Sequence, residues 1–378
     1  MQQRSAGYGI LDGKGVTAMS LQFDGYLMSR DLPVAQFSQG KCNPLREELL
    51  PFHFANHGTL EEWLQRRAMD CHSRTNARLL RRALRIEDNG AEWLSFRVKG
   101  ATITDTYWLK AEGSSLTYRD ICFQENAYWE FALNGPNVND FSGPVSRTPE
   151  LTNTGSFEKC WKKEPDGWWL YKHGKPENIF SELMAYSLGK RLGFCMAHYE
   201  FVDEQTIRTR DFTAGATVNF ETARGLGLRS DQHIDNYQRL AQIFPGLAIE
   251  YAQMVTLDAL IYNADRHADN FGILRDVNTG SILSLAPNYD NNLSLLALGI
   301  PNRESGSDFL RDWQNLILFY RVPLSLPPLA PGEIAALAEV IPCKVDKQTA
   351  VDFLQYRYQW MQQSLDRARQ LWNPLIEP

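Results

Sequence analysis

The sequence lacks any apolar run of the roughly 18 residues that a membrane-spanning helix needs. It also lacks a C-x-x-C pair, an H-E-x-x-H arrangement, an internal repeat and a low-complexity tract. Nothing in it is therefore expected to span a bilayer. Cys42, Cys71, Cys122, Cys160, Cys195 and Cys343 lie far apart, so free thiols are expected rather than a zinc site or a disulfide framework. The first residues, MQQRSAGYGILDGKG, show no apolar stretch before a small-residue cleavage site, and the expected location is cytoplasmic. Basic charge is short as well. With 39 Lys and Arg against 45 Asp and Glu, the formal charge is -6, and direct nucleic-acid binding is not expected.

Core material, by contrast, is plentiful. Hydrophobic residues make up 43% of the 378, including 10 Trp, 15 Tyr and 19 Phe, enough for one large two-lobed unit or two to three small domains. Residues 1 to about 55 mix Gly, Pro and short apolar segments without a clear pattern. Thr59-Leu60-Glu61-Glu62 then fits a capping box, and Trp63 and Leu64 continue at helical spacing. A second helix is predicted over Ala77 to Leu84. Its Arg78, Arg81, Arg82 and Arg85 read either as a solvated face over Leu79 and Leu80 or as contacts to phosphate or RNA.

From Trp93 to about Phe212 the texture turns to short β-like runs, WLSFRVKG, TYWLKAEG and DGWWLYKHGKPEN. One helix interrupts them at Ile179 to Arg191, with Gly193 placed for a C-cap. From about residue 230 the chain reads as mainly helical. Leu247 to Tyr262 is apolar nearly all round, the mark of a buried helix. A last helix is entered at Asp346 and carries Val351, Leu354, Tyr358, Met361 and Leu365 on one stripe. This is an α+β pattern with two lobes and a cleft between them for a ligand. The expected division is an N-terminal region of unassigned role over 1–95, a β-rich lobe over 96–212 and a helical lobe over 213–378.

The chemistry concentrates after the buried helix. Asn263-Ala264-Asp265-Arg266-His267-Ala268-Asp269-Asn270 leads into the β-like run Phe271-Gly272-Ile273-Leu274. A turn at Asp276 to Gly280 and a second apolar run, Ser281 to Ala286, lead to Pro287-Asn288-Tyr289-Asp290. The two ends of a hairpin lie side by side, so Asp265 and Asn270 are expected near Asp290. Phosphoryl transfer needs such a set: one carboxylate to orient the acceptor hydroxyl and take its proton, and an Asn oxygen and another carboxylate to hold the metal that bridges the phosphates. Asp265 and Asn270 have the D-x-x-x-x-N spacing of a protein-kinase catalytic loop. Loops are also rich in Asp and Asn for purely structural reasons; the second Asp, in register beyond the hairpin, favours the chemical reading.

Upstream, Trp168-Trp169-Leu170-Tyr171-Lys172 reads as a strand ending in a lysine, and Glu182 opens the next helix. A strand lysine that pairs with a helix glutamate and with nucleotide phosphates is a recurring device, although alone both read as surface charges. Thr152-Asn153-Thr154-Gly155-Ser156-Phe157-Glu158-Lys159 is rich in hydroxyls around one glycine. It reads either as a phosphate cradle or as a simple loop.

Taken together, these residues resemble the HipA-like serine/threonine kinases, a family distantly related to eukaryotic protein kinases and phosphoinositide kinases. The resemblance spans roughly Gly100 to Trp372. It rests on Gly155 to Lys159, Tyr171-Lys172, Glu182 in Ser-Glu-Leu-Met-Ala-Tyr, Asn263 to Asn270 and Ala286 to Asp290. It implies an α+β, two-lobed protein-kinase-like fold with a β-rich N-lobe, a mainly helical C-lobe and an extra N-terminal region. It implies ATP and Mg²⁺ as cofactors, with Asp265 as the catalytic aspartate and Asn270 and Asp290 holding the metal. His267 to Asn270 would line the phosphates, Tyr289 would sit beside the nucleotide, and Lys172 would contact the phosphates. Thr154, Gly155, Ser156 and Lys159 would belong to the phosphate loop. Thr209-Arg210-Asp211-Phe212 is the candidate hinge, with Arg210 and Phe212 assigned to the nucleotide.

Members of the family carry an autophosphorylated serine at the start of that loop, and its modification ejects the loop and switches activity off. Thr152 and Thr154 occupy the matching positions, and a dianion there would repel ATP. The resemblance implies a protein substrate and an antitoxin-like regulator as partners. Residues 1–95 show no match to the N-terminal subdomain of the toxin members, and no fused helix-turn-helix antitoxin is expected in the sequence. Two other readings stand beside this one. The chain is a phosphoinositide or small-molecule kinase, since Asp265-Arg266-His267 also resembles the D-R-H of lipid kinases, or it is a catalytically silent ATP-binding regulator.

Overall fold

A computed structural model of the chain describes residues 23–69, 74–83, 90–125, 128–135, 148–155, 157–230 and 232–372. Cys71, Leu84, Arg85 and Ser156 lie outside them. Within the unpatterned start, residues 25–44 fold as an antiparallel meander, β1 (Gly25–Ser29), β2 (Leu32–Ser38) and β3 (Lys41–Pro44). Leu27, Val34 and Phe37 turn inward from it. A short helix α1 (Phe52–Ala55) follows, and α2 (Leu60–Gln65) starts with the expected capping box. The Glu62 amide donates to Thr59 Oγ1 at 3.2 Å and the Thr59 amide to Glu62 Oε2 at 3.1 Å, so two otherwise unpaired amides satisfy each other's residues.

Next come α3 (Thr75–Ala83) and α4 (Ala91–Arg97). The run WLSFRVKG, expected as a strand, is therefore α4 and the turn that ends it. Leu94 and Val98 lie four residues apart on the buried face, Trp93 and Phe96 meet edge to face, and Lys99 and Gly100 close the helix at positive φ. β4 (Tyr107–Ala111) then pairs with β1 and completes a sheet of order β3-β2-β1-β4. That sheet crosses the division drawn at residue 95.

The helices α5 (Tyr118–Ile121) and α6 (Tyr128–Asn134) precede the second sheet, so the stretch from Trp93 to about Phe212 holds several helices rather than the one expected. That sheet contains β5 (Lys159–Glu164) and β6 (Gly167–His173). Helix α7 (Pro176–Arg191) crosses to β7 (Tyr199–Asp203) and β8 (Thr206–Arg210), giving the antiparallel order β5-β6-β8-β7. Gly193, at φ +78°, closes α7 as expected: its amide donates to Lys190 O and that of Phe194 to Gly189 O. Because α7 begins at Pro176, Glu182 sits fully buried in its second turn instead of opening it.

The third sheet, β11-β10-β9, joins β9 (Val218–Thr222) to the hairpin inside the helical lobe. Helices α8 (His233–Ile243) and α9 (Pro245–Ile261) lead into β10 (Gly272–Asp276) and β11 (Ile282–Leu285). The lobe closes with α10 (Ser307–Tyr320), α11 (Glu333–Glu339) and α12 (Lys347–Trp372), the last capped by Asp346 through Thr349. One large core runs from α7 through α9 to α12. The N-terminal sheet docks on the third sheet through a buried Arg275–Glu221 pair that also reaches Glu48 O and Leu50 O, and through Asn219 Oδ1, which accepts from the Thr106 amide. Among the described residues no helix is long and apolar enough to cross a membrane.

Candidate active site

The apolar helix α9 contains one buried acid, Asp258, which cannot stay charged in such a place without a partner. That partner is Arg266. The chain leaves α9 through Tyr262 at φ +56°, and Arg266 folds back to give Asp258 two hydrogen bonds, Nε to Oδ2 at 2.9 Å and Nη2 to Oδ1 at 3.0 Å. Its remaining donors reach Asn270 O and Tyr289 O at 2.6 Å each, and Asn288 Oδ1 and Asn291 Oδ1 at 2.7 Å each. One buried guanidinium thus ties the segment after α9 to the segment after β11.

The tie brings the expected side chains together. Asn270 Nδ2 donates to Asp265 O at 2.9 Å, which leaves the Asn270 side-chain oxygen as an acceptor. Asp290, at φ +61°, occupies a left-handed conformation that a non-glycine residue adopts only when its surroundings impose it. Its Oδ1 accepts from Lys172 Nζ at 2.8 Å, and its amide donates to Tyr199 Oη at 3.2 Å. Oδ2 accepts no hydrogen bond among the described residues. Lys172 therefore pairs with Asp290 and not with Glu182. Glu182 instead accepts from the Asn291 amide at 2.8 Å and from Asn291 Nδ2 at 3.3 Å, and so fixes the residue after Asp290 from behind.

Charges in this pocket are strongly perturbed. Burial acts to raise the Asp290 carboxyl, but the Lys172 and Lys159 ammonium groups outweigh it and hold Asp290 well below the usual carboxylate range. Burial opposes the charge on Lys172, yet Asp290, with Tyr199 and Glu182, keeps its pKa above the ordinary lysine value. Among the described residues Lys159 has no such neighbour at hydrogen-bonding distance. Burial, with Lys172 adding to it, pushes Lys159 down to about 7. Half-buried Asp265 is raised, first by burial and then by the charge of Asp290.

These groups line one cleft of about 950 Å³. Of the residues assigned from sequence, Thr152, Thr154, Gly155, Lys159, Lys172, Arg210, Phe212, Asp265, His267, Asn270, Tyr289 and Asp290 all face it; Glu182 stands behind it, and Ser156 lies outside the described residues. Phe212, Phe220 and Tyr289 form an aromatic wall, with ring centroids 5.7 Å apart for Phe212–Tyr289 and 5.3 Å for Phe212–Phe220. The hinge candidates divide. Arg210 turns its guanidinium to Asp166 O at 2.7 Å, and Asp211 is consumed by its own turn, accepting from Thr213 and Gly215. Gly155 is required at φ +88°, where an added Cβ would stand 2.8 Å from Lys159 Nζ.

Among the described residues no group of three His, Cys, Asp or Glu side chains could hold a metal alone. The Asn270 oxygen and Asp290 Oδ2 suit Mg²⁺ all the same. That ion usually takes one or two protein oxygens and fills its octahedron from phosphates and water. Sequence reasoning missed Arg266, Asp258, Asn291 and Phe220 as parts of the site. An acid in the last turns of a largely apolar helix, followed eight residues later by an arginine in a polar loop, was the available signal for the first two.

No protein-family model matches the sequence, and no curated protein does. Solved structures do. The HipA of Shewanella oneidensis MR-1, solved with HipB and its operator DNA, is 13% identical, with 90% of this chain and 99% of that chain covered, at a TM-score of 0.52. The proinflammatory kinase CtkA of Helicobacter pylori is 18% identical over 56% of this chain and 94% of that chain, at a TM-score of 0.45. The chain has the HipA-like kinase fold, a mixture of antiparallel sheets and many helices, as the sequence resemblance implied. The uncovered tenth of 378 residues is about 38, fewer than the first 95. Much of the N-terminal region therefore has a counterpart in HipA, which its sequence did not disclose.

Proposed function

We propose that the chain transfers the γ-phosphoryl group of ATP, in the presence of Mg²⁺, to a serine or threonine hydroxyl of a protein. The observation that carries this reading is the Lys172–Asp290 pair in the same cleft as Asp265 and Asn270. Asp265 orients the acceptor hydroxyl and takes its proton; its raised pKa makes it a better base than an ordinary aspartate. Asn270 and Asp290 would hold Mg²⁺, which would supply positive charge to the transferring phosphates. Lys172 and Lys159 supply two cations to the phosphates, the former by exchanging its partner Asp290. Tyr289, Phe212 and Phe220 offer aromatic faces to the base, with Tyr289 held by its hydroxyl, which donates to Asp269 O at 2.9 Å.

Regulation follows the family pattern in this reading. Thr152 Oγ1 donates to Pro149 O at 2.7 Å, and phosphorylation there would remove that bond and set a dianion against the nucleotide. Mass spectrometry after incubation with MgATP should find phosphate on Thr152 or Thr154; modification only elsewhere refutes self-inactivation by this route. The HipA structure was solved with HipB, which supports an antitoxin-like protein as a regulatory partner, with the site of action in the cytoplasm.

The central test compares wild type with Asp265→Asn using labelled ATP and protein, lipid and small-molecule hydroxyl acceptors in parallel. Transfer to protein should fall about 10³-fold while MgATP binding persists. Transfer only to lipid or a small molecule would move the chain to that acceptor class. Binding with no turnover on any acceptor would make it a silent regulator.

A further inference from the structure

We infer that Arg74, from the N-terminal region, is the positioning residue of the phosphate loop, so that this region is a working part of the nucleotide site. The inference rests on the kinase reading above and extends it to residues that reading leaves without a role. Arg74 precedes α3 and is 2% exposed. It does not line the cleft, whereas Asn153, Thr154, Gly155 and Lys159 do. Its guanidinium donates from Nη1 to Asn153 O at 3.1 Å and from Nη2 to Lys159 O at 2.9 Å, one at each end of the loop. Two donors held in a rigid plane fix the distance between those two carbonyls, and with it the shape of the loop between them.

The neighbours hold this staple in place. Arg74 Nε stands 3.6 Å from Glu158 Oε2, and Glu158 Oε1 accepts from the Asn76 amide at 3.0 Å. The Met69 amide donates to Leu151 O at 2.8 Å, just before the loop. On the loop's own side, buried Glu150 accepts from the Trp161 amide at 3.0 Å and from Asn153 Nδ2 at 2.6 Å. A glycine-centred loop is intrinsically free to move, and exposed loops bind phosphates well only when their amides are already arranged. Within residues 153–159 one long hydrogen bond, from Asn153 Nδ2 to Lys159 O at 3.5 Å, links the two ends. The Arg74 guanidinium adds two shorter ones from a single rigid plane.

The test is calorimetric binding of MgATP and of adenosine to wild type, Arg74→Gln and Arg74→Lys. Adenosine lacks phosphates and so does not sense the loop. Arg74→Gln should weaken MgATP about tenfold or more while adenosine affinity stays within about twofold. Lysine, which cannot bridge both carbonyls, should rescue only in part. Equal losses for both ligands, or no loss for ATP, would overturn the inference. If Arg74→Gln does not fold, Glu158→Gln, which removes only the ion pair, should weaken MgATP about threefold in the same selective way, and an unselective or absent effect overturns the role. Hydrogen exchange separates this failure from failure of the kinase reading. If wild type binds no ATP, the kinase reading falls. Faster exchange of the 153–159 amides in the variant then still supports the staple, and unchanged exchange refutes it.

Discussion

Replacing Arg266 by methionine, a side chain of similar length without charge, tests the interior of the site most severely. Arg266 and Asp258 are 5% and 6% exposed at their side chains, so the variant leaves a carboxylate in an apolar helix with nothing to neutralise it. Breaking one side of such a buried pair costs about 3–5 kcal/mol. The carbonyls of Asn270 and Tyr289 and the side-chain oxygens of Asn288 and Asn291 lose donors too, each worth about 1 kcal/mol, though not additively. Urea unfolding should therefore show at least about 3 kcal/mol of destabilisation. The double variant Asp258→Leu/Arg266→Met removes the orphaned charge and should recover part of that loss, a coupling of about 2 kcal/mol or more. It should not recover phosphotransfer, because the two segments that carry Asp265 and Asp290 still lack the guanidinium that reaches both. A single-variant cost below about 1 kcal/mol, or strictly additive effects in the cycle, would refute the account of Arg266 as the tie between them.

Lys159 offers a test of charge. Its pKa of about 7 in the folded chain lies below the ordinary lysine value, so the unfolded chain binds the extra proton between those values and this residue makes stability rise with pH across that window. Phosphates entering the cleft favour the charged form. MgATP binding near pH 8 should take up a proton, seen as a buffer-dependent heat that Lys159→Met removes; heats independent of the buffer would contradict it. Gly155→Ala should destabilise by about 1–2 kcal/mol and weaken MgATP, since it forces a side chain into positive φ against the Lys159 ammonium; unchanged affinity in titrations would exclude that crowding. Glu182→Leu should raise the KM for ATP by orphaning the Asn291 amide, a cost of about 1–3 kcal/mol, whereas Glu182→Gln keeps the acceptor and should stay close to wild type in steady-state assays. Equal behaviour of the two variants would show that the charge of Glu182, and not its acceptor oxygen, matters.

Features governed by a few neighbouring residues were readable in the sequence. The capping box at Thr59, the glycine closure of α7 at Gly193, the Asp276 turn and the buried character of α9 each depend on local hydrogen bonds or on periodicity within one element. The hairpin that joins Asp265 and Asn270 to Asp290 is of this kind, and the cleft collects all three. The run WLSFRVKG misled because apolar residues in a segment this short fit either period, and only packing against α2 selects the helix.

The sequence by itself determined that Asp265, Asn270 and Asp290 come together, because they flank one hairpin and their spacing is a local property. Tertiary structure alone decided the partners of the charges. Whether Lys172 meets Glu182 or Asp290, whether Arg266 finds Asp258, and whether Arg74 reaches both ends of a loop about 80 residues further on depend on where distant elements pack. A buried charge must be paired, but local pattern does not say by whom. The N-terminal sheet shows the same limit. β1 pairs with β4, whose residues come long after it in the chain, and no periodicity within either strand records that pairing.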